Sequence, residues 1–311
     1  MSRFDDPLST GGSVPEWASF LKPSEFLALL DLVRAEFARH GLQATLDAQE
    51  GKVRLLGDAN GMRFMGLGNL SQVCHQCAFH EWPGIVSQHF DRMMHALDGK
   101  EALHDRLSSD FAAARPLLKV RLYPADVAEH GLYTYRAAMN DVIAALVLDL
   151  PETVDSVHED QIAAWGRPVD ELFAIGLENV RTGDPVQPQT YELGAGGSIQ
   201  VLGDNSFFTA THALMLSHYV QPPPERGALV AVPHRHAVIY HPIVDQTVLV
   251  AINTMLPMAR GMFQEGPGSV SPHLYWWRDG HFTLLPAEVE GNTLEFRPPE
   301  DFVAMLERVM A

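Results

Sequence analysis

Cys74-His75-Gln76-Cys77, followed by His80, gives the spacing Cys-x-x-Cys-x-x-His. Thiolates and imidazole suit tetrahedral zinc, and a structural zinc site needs four ligands. On a helix, this spacing predicts Cys74, Cys77 and His80 along one face. The chain holds only 2 cysteines, so no second pair completes a site. Leu70, Val73 and Cys77 also form an apolar stripe, which makes core packing the first expectation. A redox Cys-x-x-Cys pair opens a helix, where the helix dipole lowers a thiol pKa. Here the pair falls inside the predicted helix instead.

The chain holds 15 histidines, more than usual, and several fall in the stretch 212–241. His234, His236 and His241 surround a predicted strand pair, and His212 and His218 sit on the helix before it. His234 and His236 alternate, which predicts a shared strand face. With a carboxylate such as Asp245, these are the ligand types a metal-assisted hydrolase uses. Against that reading, His212 and His218 fall on different helix faces, and no His-Glu-x-x-His pattern occurs. The expected role is therefore surface or hydrogen-bonded histidine, and no cofactor is expected.

Other motifs resolve into structure more readily than chemistry. Gly194-Ala195-Gly196-Gly197 resembles a phosphate cradle, but a dinucleotide loop opens a helix and this one precedes a strand. A hairpin turn is expected there. Gly66-Leu67-Gly68-Asn69 precedes a helix but lacks a third glycine and a Walker lysine. No Gly-x-Ser-x-Gly elbow occurs, and Ser198 and Ser206 have no evident base. Asp155, Glu159 and Asp160 read as the acidic start of a helix, favoured by its dipole. In Tyr275-Trp276-Trp277, alternation sends Trp276 to one sheet face and its neighbours to the other.

These residues need elements to hold them. Helical spacing appears from Phe26 to Phe37, with Ser24 as the expected cap and Gly41 as the stop. Strand-like runs follow at 43–48, 52–56 and 62–67, with Asn60-Gly61 as a hairpin turn. A second helix starts near Asn69, breaks at Pro83 and resumes through Leu97. After a short helix at 101–111, strands are predicted at 117–122 and 141–150, joined by a loop at 124–131. Ala144 to Leu150 is nearly all apolar, as in a central buried strand. The next unit is a helix from Pro168 to Val180, strands at 190–193 and 198–202, a helix at 207–219, and strands at 228–232 and 237–240. The last comprises a helix at 246–263, strands at 274–278, 282–285 and 293–296, and an amphipathic helix at 300–310.

The fold class is thus α+β (mixed α/β): repeated helix–antiparallel strands–helix modules, with helices packed on twisted sheets. The recurrence is one of layout, not of residue identities. The expected organisation is a flexible tail at 1–22, an N-terminal module at 23–140 and a C-terminal region at 141–311. The latter holds two further units closely packed on the first.

Charge narrows the partners. The formal net charge is −17, from 39 acidic and 22 basic side chains, with no Lys/Arg-rich stretch. Nonspecific nucleic-acid binding needs a basic surface, so no nucleic acid is expected. No run is long enough to span a bilayer, and the N-terminus lacks a signal-peptide core. A cytoplasmic protein without a membrane partner is expected.

Several segments resemble the YtpQ-like family of uncharacterised bacterial proteins. They are Leu67-Gly68-Asn69-Leu70 with Trp82-Pro83; Val120-Arg121-Leu122-Tyr123-Pro124; and Val147-Leu148-Asp149-Leu150-Pro151 leading to Ile162-Ala163-Ala164-Trp165-Gly166. Glu171 to Val180 follows, and then Val230-Ala231-Val232-Pro233-His234-Arg235-His236. The resemblance runs over roughly residues 50 to 300. It implies a cytoplasmic α/β protein and no particular reaction. Where the family tends to have Arg-Asp after the proline-ended strand, this chain has Arg235-His236.

No catalytic constellation is complete, so the reading favours a noncatalytic binding or adaptor protein for a protein or small-ligand partner. The metal-assisted hydrolase using residues 212–241 is the alternative. Arg121, Trp165, Asn179 and Arg235, which fall in the family-like segments near strand ends or facing helices, are the expected binding residues. The competing expectation is local: Trp165 fills a core gap, Asn179 satisfies backbone near a helix end, and the arginines pair with surface carboxylates.

Overall fold

The fold was taken from a computed structural model, which describes residues 14–56, 63–98, 100–130, 134–151, 153–194, 196–222, 224–290 and 293–310. The chain divides into two compact units, Met1–Asp98 and Gly99–Ala311.

In the first unit, α1 (Pro23–Arg39) opens with proline in its first turn, where the missing N–H is no loss. Lys22 N–H donates to the Glu25 carboxylate at 2.9 Å, so the cap falls earlier than the expected Ser24. Gly41 ends the helix in the left-handed region (φ 64°), and Leu42 N–H closes back on Phe37 O at 2.9 Å. The strands β1 (Gln43–Asp47), β2 (Lys52–Leu56) and β3 (Arg63–Gly66) form an antiparallel sheet in that order. The expected Asn60-Gly61 turn lies outside the described residues.

α2 (Gly68–His75) is short. A 3-10 turn (Phe79–Glu81) separates it from α3 (Trp82–Asp98). Pro83 therefore lies in the first turn of a new helix and does not break an existing one. Phe26, Leu29, Leu30 and Val33 of α1 bury against Val86 and Phe90 of α3, with Val53, Leu70 and Cys74. Each fully buried side chain of this size contributes about 1.5–3 kcal/mol.

The second unit begins with α4 (Lys100–Ser109) and α5 (Phe111–Ala114), the latter capped by the Asp110 carboxylate. β4 (Leu118–Pro124), β5 (Tyr135–Met139), β6 (Val142–Asp149) and β7 (Val154–Ser156) follow. β6 pairs with β4 on one side and with β5 and β7 on the other. Residues 142–148 are all buried, as their apolar run predicts. The expected seam near residue 140 would cut this sheet, because β4 and β6 pair in continuous register from Leu118↔Leu148 to Pro124↔Val142.

α6 (Glu159–Trp165) stops at left-handed Gly166, and α7 (Val169–Gly183) packs on β4. Gly176 permits that approach, since a Cβ there would stand 3.0 Å from the Lys119 backbone. β8 (Pro188–Glu192) and β9 (Ser198–Gly203) form the expected hairpin, with Leu193 N–H bonded to Gly197 O at 2.9 Å. The next helical stretch, Thr209–His218, is 3-10 with a kink at Met215. β10 (Ala228–Ala231), β11 (Ala237–Pro242), α8 (Val248–Glu265), β12 (Leu274–Arg278), β13 (His281–Leu285), β14 (Ala287–Glu290), β15 (Thr293–Phe296) and α9 (Glu300–Met310) complete the chain.

The two later modules are not separate sheets. Their strands, apart from β15, which pairs with β14 in a separate two-stranded sheet, join in one antiparallel sheet of order β13-β12-β10-β11-β9-β8, because β10 pairs with both β11 and β12. Alternation sorts its two faces. Leu229, Ala231, Ile239 and Trp276 bury against Val248, Ala251 and Met255 of α8 and Phe302 of α9. Val230, Val238, Tyr275 and Trp277 turn to the other core, which also receives Leu118, Val120 and Leu122 of β4. Trp276 thus lies opposite Tyr275 and Trp277, as alternation predicts. No described helix is long and apolar enough to cross a membrane.

Candidate functional site

β4 sends Leu118, Val120 and Leu122 into the core, so Lys119, Arg121 and Tyr123 share its opposite face. The two cations on that face have very different surroundings. The Lys119 ammonium lies 2.6 Å from Asp149 and 2.7 Å from Asp184, and 4.3 Å from the Phe208 ring centre. Ser206 Oγ donates to the Asp184 carboxylate, and His212 Nε2 lies 2.9 Å from Asp184 O. The Tyr219 hydroxyl meets His212 Nδ1 at 2.6 Å. Asp184 Oδ2 is buried and makes no hydrogen bond, but it lies against the Lys119 ammonium. Burial opposes the Lys119 charge, but its bonds to Asp149 and Asp184 raise its pKa.

Arg121 has no such carboxylates. Among the described residues, its guanidinium makes no ion pair or hydrogen bond, and Nε is buried without a partner. It lies 4.7 Å from the Tyr123 ring centre and 5.7 Å from that of Phe207. Arg235 stacks on the same Phe207 ring at 4.4 Å. Arg235 also lacks an ion pair among the described residues. Its Nε–H donates to His236 Nε2 at 2.8 Å. Burial lowers its pKa to about 10, with the Arg121 charge next in importance, so the group stays cationic at neutral pH.

That hydrogen bond assigns the histidine tautomers. His236 Nε2 must accept, so the ring proton is on Nδ1, 3.0 Å from Ser206 O and 3.2 Å from Asp204 O. His234 Nδ1 accepts from His236 N–H at 3.2 Å. Both imidazoles are thereby held neutral. Burial works the same way, lowering the pKa of His236 and taking His234 to about 4.

Local chain geometry fixes the centre. Arg235 N–H donates to Gly268 O at 2.9 Å, and Ala210 N–H donates to Arg235 O at 3.0 Å. Thr211 Oγ1 donates to Val120 O at 2.9 Å, which ties the 3-10 stretch to β4. A Cβ on Gly266 would run into the His234 ring, and one on Gly268 would stand 2.7 Å from Arg235 Cδ. Both glycines leave room for these side chains. Phe207 forms the rim and is 43% exposed.

Of the four expected binding residues, Arg121 and Arg235 are brought together. Trp165 instead donates Nε1–H to Leu107 O at 2.9 Å and packs on Phe111. Asn179 donates to Arg115 O and Leu118 O at 2.8 and 2.7 Å. Both hold backbone in place. Sequence reasoning missed Phe207, Tyr123, Gly266 and Gly268. Tyr123 carries one signal, since it alternates with Arg121 on a strand. The two glycines and Phe207 gave none.

The metal candidates do not gather. α2 ends at His75, so Cys74, Cys77 and His80 do not share a helix face. Cys74 is buried and its thiol is pushed up to about 12 by burial, whereas Cys77 and His80 are exposed. In place of the expected Leu70–Val73–Cys77 stripe, α2 buries Leu70, Ser71, Gln72 and Cys74. His234 and His236 lie in the β10–β11 turn and not along a strand, with ring centres 6.1 Å apart. His241 Nδ1 is 2.7 Å from Ser198 O, and the Asp245 carboxylate accepts from Thr247 N–H. Among the described residues, no group of three or more His, Cys, Asp and Glu could hold a metal ion.

The chain matches no protein-family model, no curated protein and no solved structure. Two half-buried guanidinium groups with free N–H edges can bind an anion. Both His236 ring nitrogens are engaged, and His234 Nδ1 accepts from the His236 N–H, so its Nε2 carries the ring proton and is a donor.

Proposed function

We propose that this chain is a noncatalytic binding or adaptor protein that captures an anionic group, on a protein or small-ligand partner, at the Arg121–Arg235 centre. One observation carries the reading. These two arginines lack a carboxylate among the described residues, while Lys119 on the same strand face has two. Burying a charge without a partner is costly, so a fold that keeps two such groups leaves an anion to be supplied from outside. Arginine suits that role, because its fork binds carboxylate and phosphate bidentately. The resemblance to the YtpQ-like family, which implies no reaction, is compatible with this proposal.

Co-purification of untagged protein from native lysate, with native mass spectrometry of what stays bound, tests the reading. A protein or small-molecule partner should accompany the wild type and be lost from both Arg121→Gln and Arg235→Gln. A chain that stays monomeric and partnerless at native abundance would sink the proposal. So would a partner retained equally by both variants.

A further inference from the structure

The charge of the centre narrows the anion further. Arg121 and Arg235 contribute two positive charges. His236 contributes none, because its Nε2 accepts from Arg235. His234 contributes none while its Nδ1 accepts from the His236 N–H and its other ring nitrogen carries the single proton of the neutral ring. Lys119 has no charge to spare, lying between Asp149 and Asp184. A monocarboxylate would balance one guanidinium and leave the other half-buried and unpaired. A phosphomonoester carries about −1.5 to −2 at pH 7 and three acceptor oxygens, enough for both.

Donor geometry agrees. The rings of Tyr123 and Phe207 cover guanidinium faces, leaving the N–H edges to meet a ligand. Arg121 brings its terminal nitrogens, which have no hydrogen-bond partner among the described residues, while its Nε is buried. Arg235 brings its terminal nitrogens, since Nε is committed to His236. The exposed Phe207 ring supplies apolar surface for the organic part of such a ligand. The formal net charge of −17 also disfavours phosphate elsewhere on the surface, so binding here must be made by this local pair.

We infer that the Arg121–Arg235 centre is a site for a phosphate-type dianion, the phosphoryl group of a phosphomonoester. This rests on the reading of the centre as a binding site, and it fixes the chemical class of what binds.

Isothermal titration of the full chain with inorganic phosphate, sulfate, O-phosphoserine and acetate at pH 7.5 is the test. Phosphate, sulfate and O-phosphoserine should bind, with acetate at least about tenfold weaker. O-Phosphoserine tighter than inorganic phosphate points to an esterified ligand, and the reverse order to the free ion. Arg121→Gln and Arg235→Gln should each lose about tenfold or more, the scale of one charge-assisted contact. Arg181→Gln, which removes a surface partner of Glu178, should leave affinity unchanged. Because the Gln variants can lose stability, the second readout is the rise in Tm with added phosphate, present in wild type and abolished in each variant that still melts cooperatively. No phosphate binding by wild type, equal affinity for acetate, or phosphate affinity unmoved by both substitutions overturns the inference. If phosphate fails while a lysate partner still depends on Arg121, the dianion class falls and the binding-protein reading stands. If phosphate binds while no partner is captured, the reverse holds.

Discussion

His234 shows how one residue's surroundings become a property of the folded chain. Its ring is packed where Gly266 leaves no Cβ, and burial lowers its pKa from 6.5 to about 4. Between those values the unfolded chain binds a proton that the folded chain refuses. Stability is therefore full above about pH 6.5 and falls as pH drops towards 4. Each pKa unit is worth about 1.4 kcal/mol, so this histidine alone accounts for a loss of roughly 3 kcal/mol. Burial also lowers the pKa of His89, His212 and His236, which adds to the slope in the same direction. Urea unfolding from pH 7.5 to 4.5 should show this loss, and His234→Gln should make it shallower. An equally steep loss in the variant would refute the assignment. The sequence placed Arg235 and His236 side by side but could not say that the arginine would lock its neighbour's tautomer. That depends on where the Ser206 carbonyl lies.

Among the elements, the join between β10 and β12 leaves no room for a side chain at its glycine. Gly227 enters β10 in a left-handed conformation (φ 75°), and a Cβ there would collide with the carbonyl of Trp277. Its own carbonyl accepts from Ile243 N–H at 2.9 Å, and Trp276 Nε1–H donates to Arg226 O at 2.8 Å. The backbone cannot easily move away. Gly227→Ala should cost on the order of 3 kcal/mol, combining left-handed strain with the clash. Gly194→Ala should change stability by less than about 0.5 kcal/mol, because its added Cβ meets nothing within 4 Å. Thermal melts of the two variants decide this, and a Gly227→Ala midpoint equal to wild type would count against the argument. Most strands here were legible from their alternation. β5, β7 and β14 were not, being short and carrying little apolar signal. Cys77 was misplaced because helical spacing continues past His75, whereas the helix does not.

For the molecule as a whole, each unit has its own core. Val53, Leu70, Phe26 and Phe90 lie in one, while the cores built on β4, β6 and the six-stranded sheet use only residues after 99. A fragment comprising residues 100–311 should fold alone, since its apolar contacts do not depend on the first unit. Its far-ultraviolet circular dichroism should show mixed helix and strand, with a cooperative melt. A fragment that is unfolded at 25 °C would refute the independence of that core. The expected boundary near 140 came from reading each helix–strands–helix run as a module, a pattern that does not reveal which strands will pair.

By itself, the sequence determined the local conformations: the helical period of α1, the strand alternation that parts Trp276 from Tyr275 and Trp277, and the hairpin at Gly194. It also determined an acidic chain without a basic stretch. These follow from the intrinsic preferences of neighbouring residues and the sum of their charges. Tertiary structure alone decided that two predicted modules share one sheet, because strand pairing is chosen by register between distant segments. It also decided that Lys119 meets two carboxylates while Arg121 meets Phe207 and Arg235. A side chain's electrostatic partner is set by what the fold carries into its few ångströms, and nothing in the order of residues along β4 distinguishes those two cations.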